Sequence, residues 1–142
     1  MDLYQQLILD HNKNPNNFGI LNEYNCKADG QNPLCGDQIV IYILVKNKLI
    51  KKISFNGSGC AISKASASIM TSYLKGITIK EANELFNNFL NLITTGNSIK
   101  DLGKLSVLAG IYKYPSRVKC ATLAWHTFLG ALNKSKNVVT TE

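Results

Sequence analysis

The residues able to do chemistry in this chain are four cysteines and one aspartate. Cys35 and Asp37 lie in Asn32-Pro33-Leu34-Cys35-Gly36-Asp37, and Cys60 follows Gly57-Ser58-Gly59. Cys120 opens a C-terminal apolar segment, and Cys26 stands apart. Three thiolates and one carboxylate are enough for a tetrahedral Zn²⁺. Where that turn is extended, Cys35 and Asp37 point to one face, and Gly36 between them leaves room for an ion. Cys60 falls in the first turn of a predicted helix, where free N–H groups and the helix dipole favour a thiolate. Cys120 comes about four residues after Ser116, read as an N-cap, and so also belongs to a first turn. The spacing is not that of a zinc finger, with 25 positions from Cys35 to Cys60 and 60 from Cys60 to Cys120. Ordinary buried thiols are the alternative, and spacing alone leaves both readings open. Cys26 reads as a half-buried small hydrophobe on an edge strand.

The elements that must position these groups follow from the pattern. Leu3, Leu7 and Ile8 recur at helical spacing before Asn14-Pro15, predicting a helix over about 2–12. Residues 18–37 are mostly loop with one edge strand at most. Ile39 to Val45 and Leu49 to Phe55 flank Lys46-Asn47-Lys48 and predict a β-hairpin. A helix runs from Cys60 to about Leu74, with a small-residue stripe of Ala61, Ala65 and Ser68, and ends at Gly76. Thr78 and Glu81 form a capping box for a helix over about 79–93. That helix carries Ala82, Leu85, Phe86, Phe89, Leu90 and Ile93 on one face. Thr94 to Pro115 holds a shorter apolar stretch, and a last helix covers about Ser116 to Leu132. Helix, small antiparallel sheet, then helices make an α+β domain spanning 1–142.

Composition narrows the class. The chain has 142 residues, 45% hydrophobic and 18% charged, which suits one domain with a real core. Its longest apolar run, Ile39 to Val45, is far short of the roughly 20 residues that span a bilayer, so no membrane role is expected. The start lacks a basic and apolar leader, which predicts a cytoplasmic location and reduced thiols. The net charge is +7, yet fifteen of the sixteen basic residues are lysines, scattered along the chain, and Arg117 is the one arginine. Nucleic-acid surfaces favour arginine with interleaved aromatics, so no nucleic-acid partner is expected.

Four stretches together resemble the IscU/SufU family of iron–sulfur cluster assembly proteins. They are Ile8-Leu9-Asp10-His11 with Lys13-Asn14-Pro15 and Asn17-Phe18-Gly19, then Asn32 to Asp37, then Gly57 to Ser63 with Ala65-Ser66, then Arg117 to Trp125. The resemblance runs nearly end to end and implies a small antiparallel sheet packed by helices on one side. Lys119 stands directly before Cys120, where IscU-type scaffolds carry a histidine, and about 94–115 resembles an insertion of SufU-type members. Asn16 stands where the family commonly has arginine. The SufU likeness implies one Zn²⁺ on Cys35, Asp37, Cys60 and Cys120. It also implies a persulfide loaded onto Cys35 by a SufS-type cysteine desulfurase, with cluster-assembly proteins downstream. The alternative within the family is a scaffold for a transient [2Fe–2S] cluster on the same cysteines. A structural zinc domain is the alternative from another class.

Other residues have plainer roles. Lys64, Arg117 and Lys119 lie near enough in sequence to offset the formal charge of −2 on a zinc-loaded site. His126, six residues past Cys120, is expected on the helix surface, and His11 in a structural role at a helix end. Trp125 and Phe128 are expected in the core. Arg117 either orients its loop or meets a partner, or forms a salt bridge and nothing more.

Overall fold

The computed structural model describes residues 2–134 and 137–141. Helix α1 (Leu3–Lys13) starts on a capping box between Asp2 and Gln5 and stops at Asn14, because Pro15 disfavours helical geometry before it. Strand β1 (Cys26–Asn32), β2 (Asp37–Lys46) and β3 (Leu49–Ser58) form an antiparallel meander. The tip of its second hairpin places Asn47 and Lys48 at positive φ. Helix α2 (Ala61–Leu74) follows β3, and α3 (Ile79–Thr95) starts on the Thr78–Glu81 capping box and ends at Gly96 in the left-handed region. A 3₁₀ segment (Gly103–Lys113), α4 (Pro115–Leu132) and a two-residue strand β4 (Val139–Thr140) complete the chain.

The sheet order is β3-β2-β1-β4, with β4 parallel to β1 at Gly30 and Gln31. The sheet is therefore mixed at one edge, and β1 is a full strand rather than loop. Along β1 the side chains alternate between buried and exposed, with Cys26, Ala28, Gly30 and Asn32 inward. Register puts these opposite Ile43, Ile41, Ile39 and Asp37 of β2, all buried on the same face. Ile53 and Phe55 of β3 extend the rows. This is the face the helices cover: α4 lies on β1 and β2, and α2 on β3. Gly30 lets α4 come close, since a Cβ there would coincide with Thr127 Oγ1.

The core between the sheet and the helices holds Phe55, Phe89, Trp125 and Phe128, each at most 1% exposed. Phe89 and Trp125 stack at 4.3 Å between centroids, and Trp125 Nε1 donates to Ser66 Oγ at 3.2 Å. Each such aromatic stabilises the fold by about 1.5–3 kcal/mol relative to exposure. The 3₁₀ segment is anchored by Leu105, Leu108 and Ile111, whose spacing of three matches its period. His11, in the structural place expected of it, is 8% exposed and pairs with Ser68 Oγ at 2.7 Å, joining α1 to α2. Among the described residues, no helix is long and apolar enough to cross a membrane.

Candidate metal centre

The last rung of the inner sheet face is Asn32 opposite Asp37, and the chain between them is the four-residue turn 33–36. Cys35 sits in this turn, its N–H donating to Asn32 O at 3.3 Å. Gly36 follows at φ +72°, a left-handed position that a residue with a Cβ reaches only under strain. Cys35 and Asp37 therefore converge because the turn curls, not because an extended strand alternates. Asp37 is 1% exposed. Its Oδ1 accepts the N–H of Cys60 at 2.8 Å, which seats a carboxylate on the N-terminus of α2.

Cys60 is the N-cap of α2, and its Sγ accepts the N–H of Ser63 at 3.4 Å. It also lies 3.9 Å from Asp37 Oδ2. Gly59 before it is required by close approach, since a Cβ there would stand 2.6 Å from Asp37 Oδ1. Cys120 differs from expectation. Helix α4 begins at Pro115, with Tyr114 at the N-cap, so Cys120 is the sixth helical residue and no longer in the first turn. It is 0% exposed, and its Sγ lies 3.2 Å from Cys35 Sγ and 3.7 Å from Ser116 O. Burial first, then the neighbouring Cys35 thiol, raises the Cys120 thiol far above the ordinary cysteine range.

The ligand atoms of Cys35, Asp37 and Cys120 all lie within 4.8 Å of one another, and Cys60 adjoins them through Asp37. Two sulfurs and a carboxylate oxygen at such separations are donors that one small cation could take together, with a third sulfur beside them. A cation among them would favour the thiolate forms and offset the negative charge these groups would share. Cys35, Asp37 and Cys120 thus converge at one end of the sheet, with Cys60 adjoining them, while Cys26 stays apart.

The surroundings sort the remaining expectations. The Arg117 guanidinium faces the sulfurs: a hydrogen bond to Cys120, then the charges of Cys60, Cys120 and Cys35, hold its proton more firmly than usual. Lys64 instead lies over the Phe18 ring at 5.4 Å, and Lys119 lines a separate groove with Thr122 and His126. His126 is half-buried edge-on to Phe86 at 5.5 Å, away from the centre. Cys26 is 7% exposed at the start of β1, and its thiol is raised by burial. One residue escaped the sequence reading: Asn32, 0% exposed, donates from Nδ2 to Asp37 Oδ2 at 3.3 Å and to Cys120 Sγ at 3.5 Å. Its place two residues after Gly30 on the buried parity of β1 was the available signal.

Comparison with known proteins agrees with this geometry. The family described as NifU-like N terminal domain matches residues 3–121. The zinc-dependent sulfurtransferase SufU of Bacillus subtilis (strain 168) is 42% identical over 126 residues, covering 87% of this chain and 84% of that protein. The iron–sulfur cluster assembly scaffold protein IscU of Streptococcus pyogenes serotype M1 is 36% identical over 137 residues, covering 95% and 86%. A crystal structure described as an iron–sulfur cluster assembly scaffold protein for the SUF system, from Fervidobacterium islandicum AW-1, superposes with TM-score 0.84 at 33% identity. It covers 89% of this chain and 94% of that one. With the motifs, the fold and the sulfur cluster in agreement, the chain belongs to the NifU-like N-terminal domain family, as an IscU/SufU-type protein of iron–sulfur cluster assembly.

Proposed function

We propose that this protein is a zinc-dependent sulfur carrier of the SufU type. It accepts persulfide sulfur from a SufS-type cysteine desulfurase and passes it to downstream cluster-assembly proteins in the cytoplasm. Cys35, Asp37, Cys60 and Cys120 would hold the Zn²⁺, which when bound stabilises their thiolate forms and offsets part of their combined negative charge. The branch rests on Lys119 before Cys120 and on the SufU-type insertion at about 94–115, which carries the 3₁₀ segment.

The observation that carries the reading is the inequality of the three sulfurs. Cys120 is fully buried, and Cys60 Sγ receives the Ser63 N–H. Cys35 is half-buried in a turn, and its Sγ contacts Cys120 Sγ. Cys60 is half-buried as well, so it is the place of Cys35 in the 33–36 turn, together with the family resemblance, that points to it as the acceptor. In the transfer, Cys35 Sγ attacks the outer sulfur of the donor persulfide. The donor S–S bond breaks, a new S–S bond forms on Cys35, and the donor cysteine leaves as a thiolate. No outside oxidant or reductant is needed. Arg117, facing the sulfurs, is placed to balance charge as the donor approaches.

The test is metal analysis with a desulfurase activation assay on wild type and Cys35→Ala. A carrier gives a stoichiometric colourless metal, and the variant folds but fails to raise desulfurase turnover. A structural zinc domain would instead lose mainly stability in Cys35→Ala. The scaffold reading is kept alive by the IscU relative matched over 95% of this chain. It predicts that anaerobic purification yields a visible-absorbing cluster transferable to an apo-acceptor.

A further inference from the structure

The inner face of β1 carries Cys26, Ala28 and Gly30, small residues suited to a packed sheet, and then Asn32. Asn32 is 0% exposed, and its buried Oδ1 finds no hydrogen-bond partner among the described residues. A buried acceptor left unmade is costly, so an apolar side chain would be the better choice for stability alone. What Asn32 supplies is its NH₂ group. Nδ2 donates to Asp37 Oδ2 at 3.3 Å and to Cys120 Sγ at 3.5 Å, joining residues 83 positions apart. Both contacts are made from Nδ2, so the NH₂ end of the amide is the one turned towards Asp37 and Cys120. Its backbone carbonyl also receives the Cys35 N–H at 3.3 Å.

We infer that Asn32 is a positioning residue, whose carboxamide ties Asp37 and Cys120 into a fixed pair and leaves the Cys35 sulfur free to move. The centre then has two halves. Asp37 and Cys120 are held from behind by one side chain that is itself locked in the sheet. Cys35 is tied to Asn32 through its backbone alone, in a turn that closes through Gly36 at positive φ. A sulfur that must leave its neighbours to collect cargo needs the rest of the donor set to stay in place, and Asn32 keeps it there. Partners of this kind behind metal ligands typically change affinity by about 10- to 100-fold when removed. The inference rests on the metal reading proposed above.

The test is anaerobic Co²⁺ titration of the full-length protein, followed by competition with a chromophoric chelator. Wild type is compared with Asn32→Leu and the shorter Asn32→Ala, and melting of each metal-free protein serves as the fold control. Expected are sulfur-to-cobalt charge-transfer bands in wild type, about 10- to 100-fold weaker cobalt binding in both variants, and a shifted ligand-field spectrum. Metal-free Asn32→Leu should melt no lower than wild type, which separates positioning from mere structure. Should that variant fail to fold, Asn32→Ala decides, because it removes both N–H donors and adds neither charge nor a ligand atom. A further expectation is that iodoacetamide labels Cys35 in the zinc-loaded wild type and spreads to Cys120 in the variants. Unchanged cobalt affinity and spectrum in the variants overturn the inference alone. Absence of the charge-transfer bands from wild type overturns the metal reading and the inference with it.

Discussion

The N–H of Cys60 donates to Asp37 Oδ1 at 2.8 Å, so the first backbone donor of α2 is spent on a carboxylate from the opposite side of the centre. This one bond fixes the distance between the sheet end and the helix start, and it fixes Gly59 as well. The expected result for Gly59→Ala is a displaced Asp37, because the new Cβ would lie 2.6 Å from Oδ1. Metal affinity should fall by about tenfold or more, while the helical circular dichroism signal is retained. Chelator competition measures the first and far-ultraviolet spectra the second.

Metal removal should lower stability. A ligand that binds the folded chain alone stabilises it by about 2.7 kcal/mol at a hundred times its Kd. Zinc should therefore raise the melting temperature of wild type in a concentration-dependent way, and a chelator should reverse it. Cys35→Ala should respond less, since one of the donors is gone. Calorimetric scans at several zinc concentrations check this.

The contact of β1 with α4 has a test of its own. Gly30→Ala should cost about 1–3 kcal/mol, because the added methyl collides with Thr127 Oγ1. Thr127→Ala removes the colliding group, so the double variant should recover part of that loss. Urea unfolding in a double-mutant cycle reads the coupling. Strictly additive losses would contradict the contact.

Stability should fall on mild acidification. His11 is held below the ordinary histidine range, by burial first and the charge of Lys104 second, and His126 is held below it by burial. The folded chain therefore favours the neutral rings, while the unfolded chain takes up protons near pH 6.5. Their contribution is fully present above about pH 6.5 and is lost as pH falls through the window beneath it. Melting temperatures of metal-free protein from about pH 7.5 to 5 should decline. The slope should flatten in His11→Gln and in His126→Gln, and most in the double variant.

The parts legible in the sequence are those where local signals agree with the fold. The capping box of Thr78 and Glu81, followed by apolar residues at helical spacing, placed α3 within two residues at each end. Gly57-Ser58-Gly59 marked the exit of β3, and the family motifs brought all four site residues forward. The sequence allows one edge strand within 18–37 but not its length or its place between β2 and β4, because Lys27, Asp29, Gly30 and Gln31 are poor strand formers held extended by pairing with β2. The two residues of β4 are likewise made by tertiary contact. Helix α4 starts before the expected cap at Ser116, because Pro115 takes the first helical position, where proline is favoured. Asn32 looked like turn punctuation beside Pro33, and only pairing with Asp37 shows it as the end of a buried row.

The contact between Cys35 and Cys120 closes a span of 85 residues. Pairings of such separation form late, since loop closure must precede them. A chain emerging from its start first can complete the β1–β2 hairpin and α2 early, with Cys35, Asp37 and Cys60 already exposed to any metal or oxidant. The centre is finished only when α4 arrives, within the last quarter of the sequence. Helix α4 is thus the element that both completes the donor set and covers it.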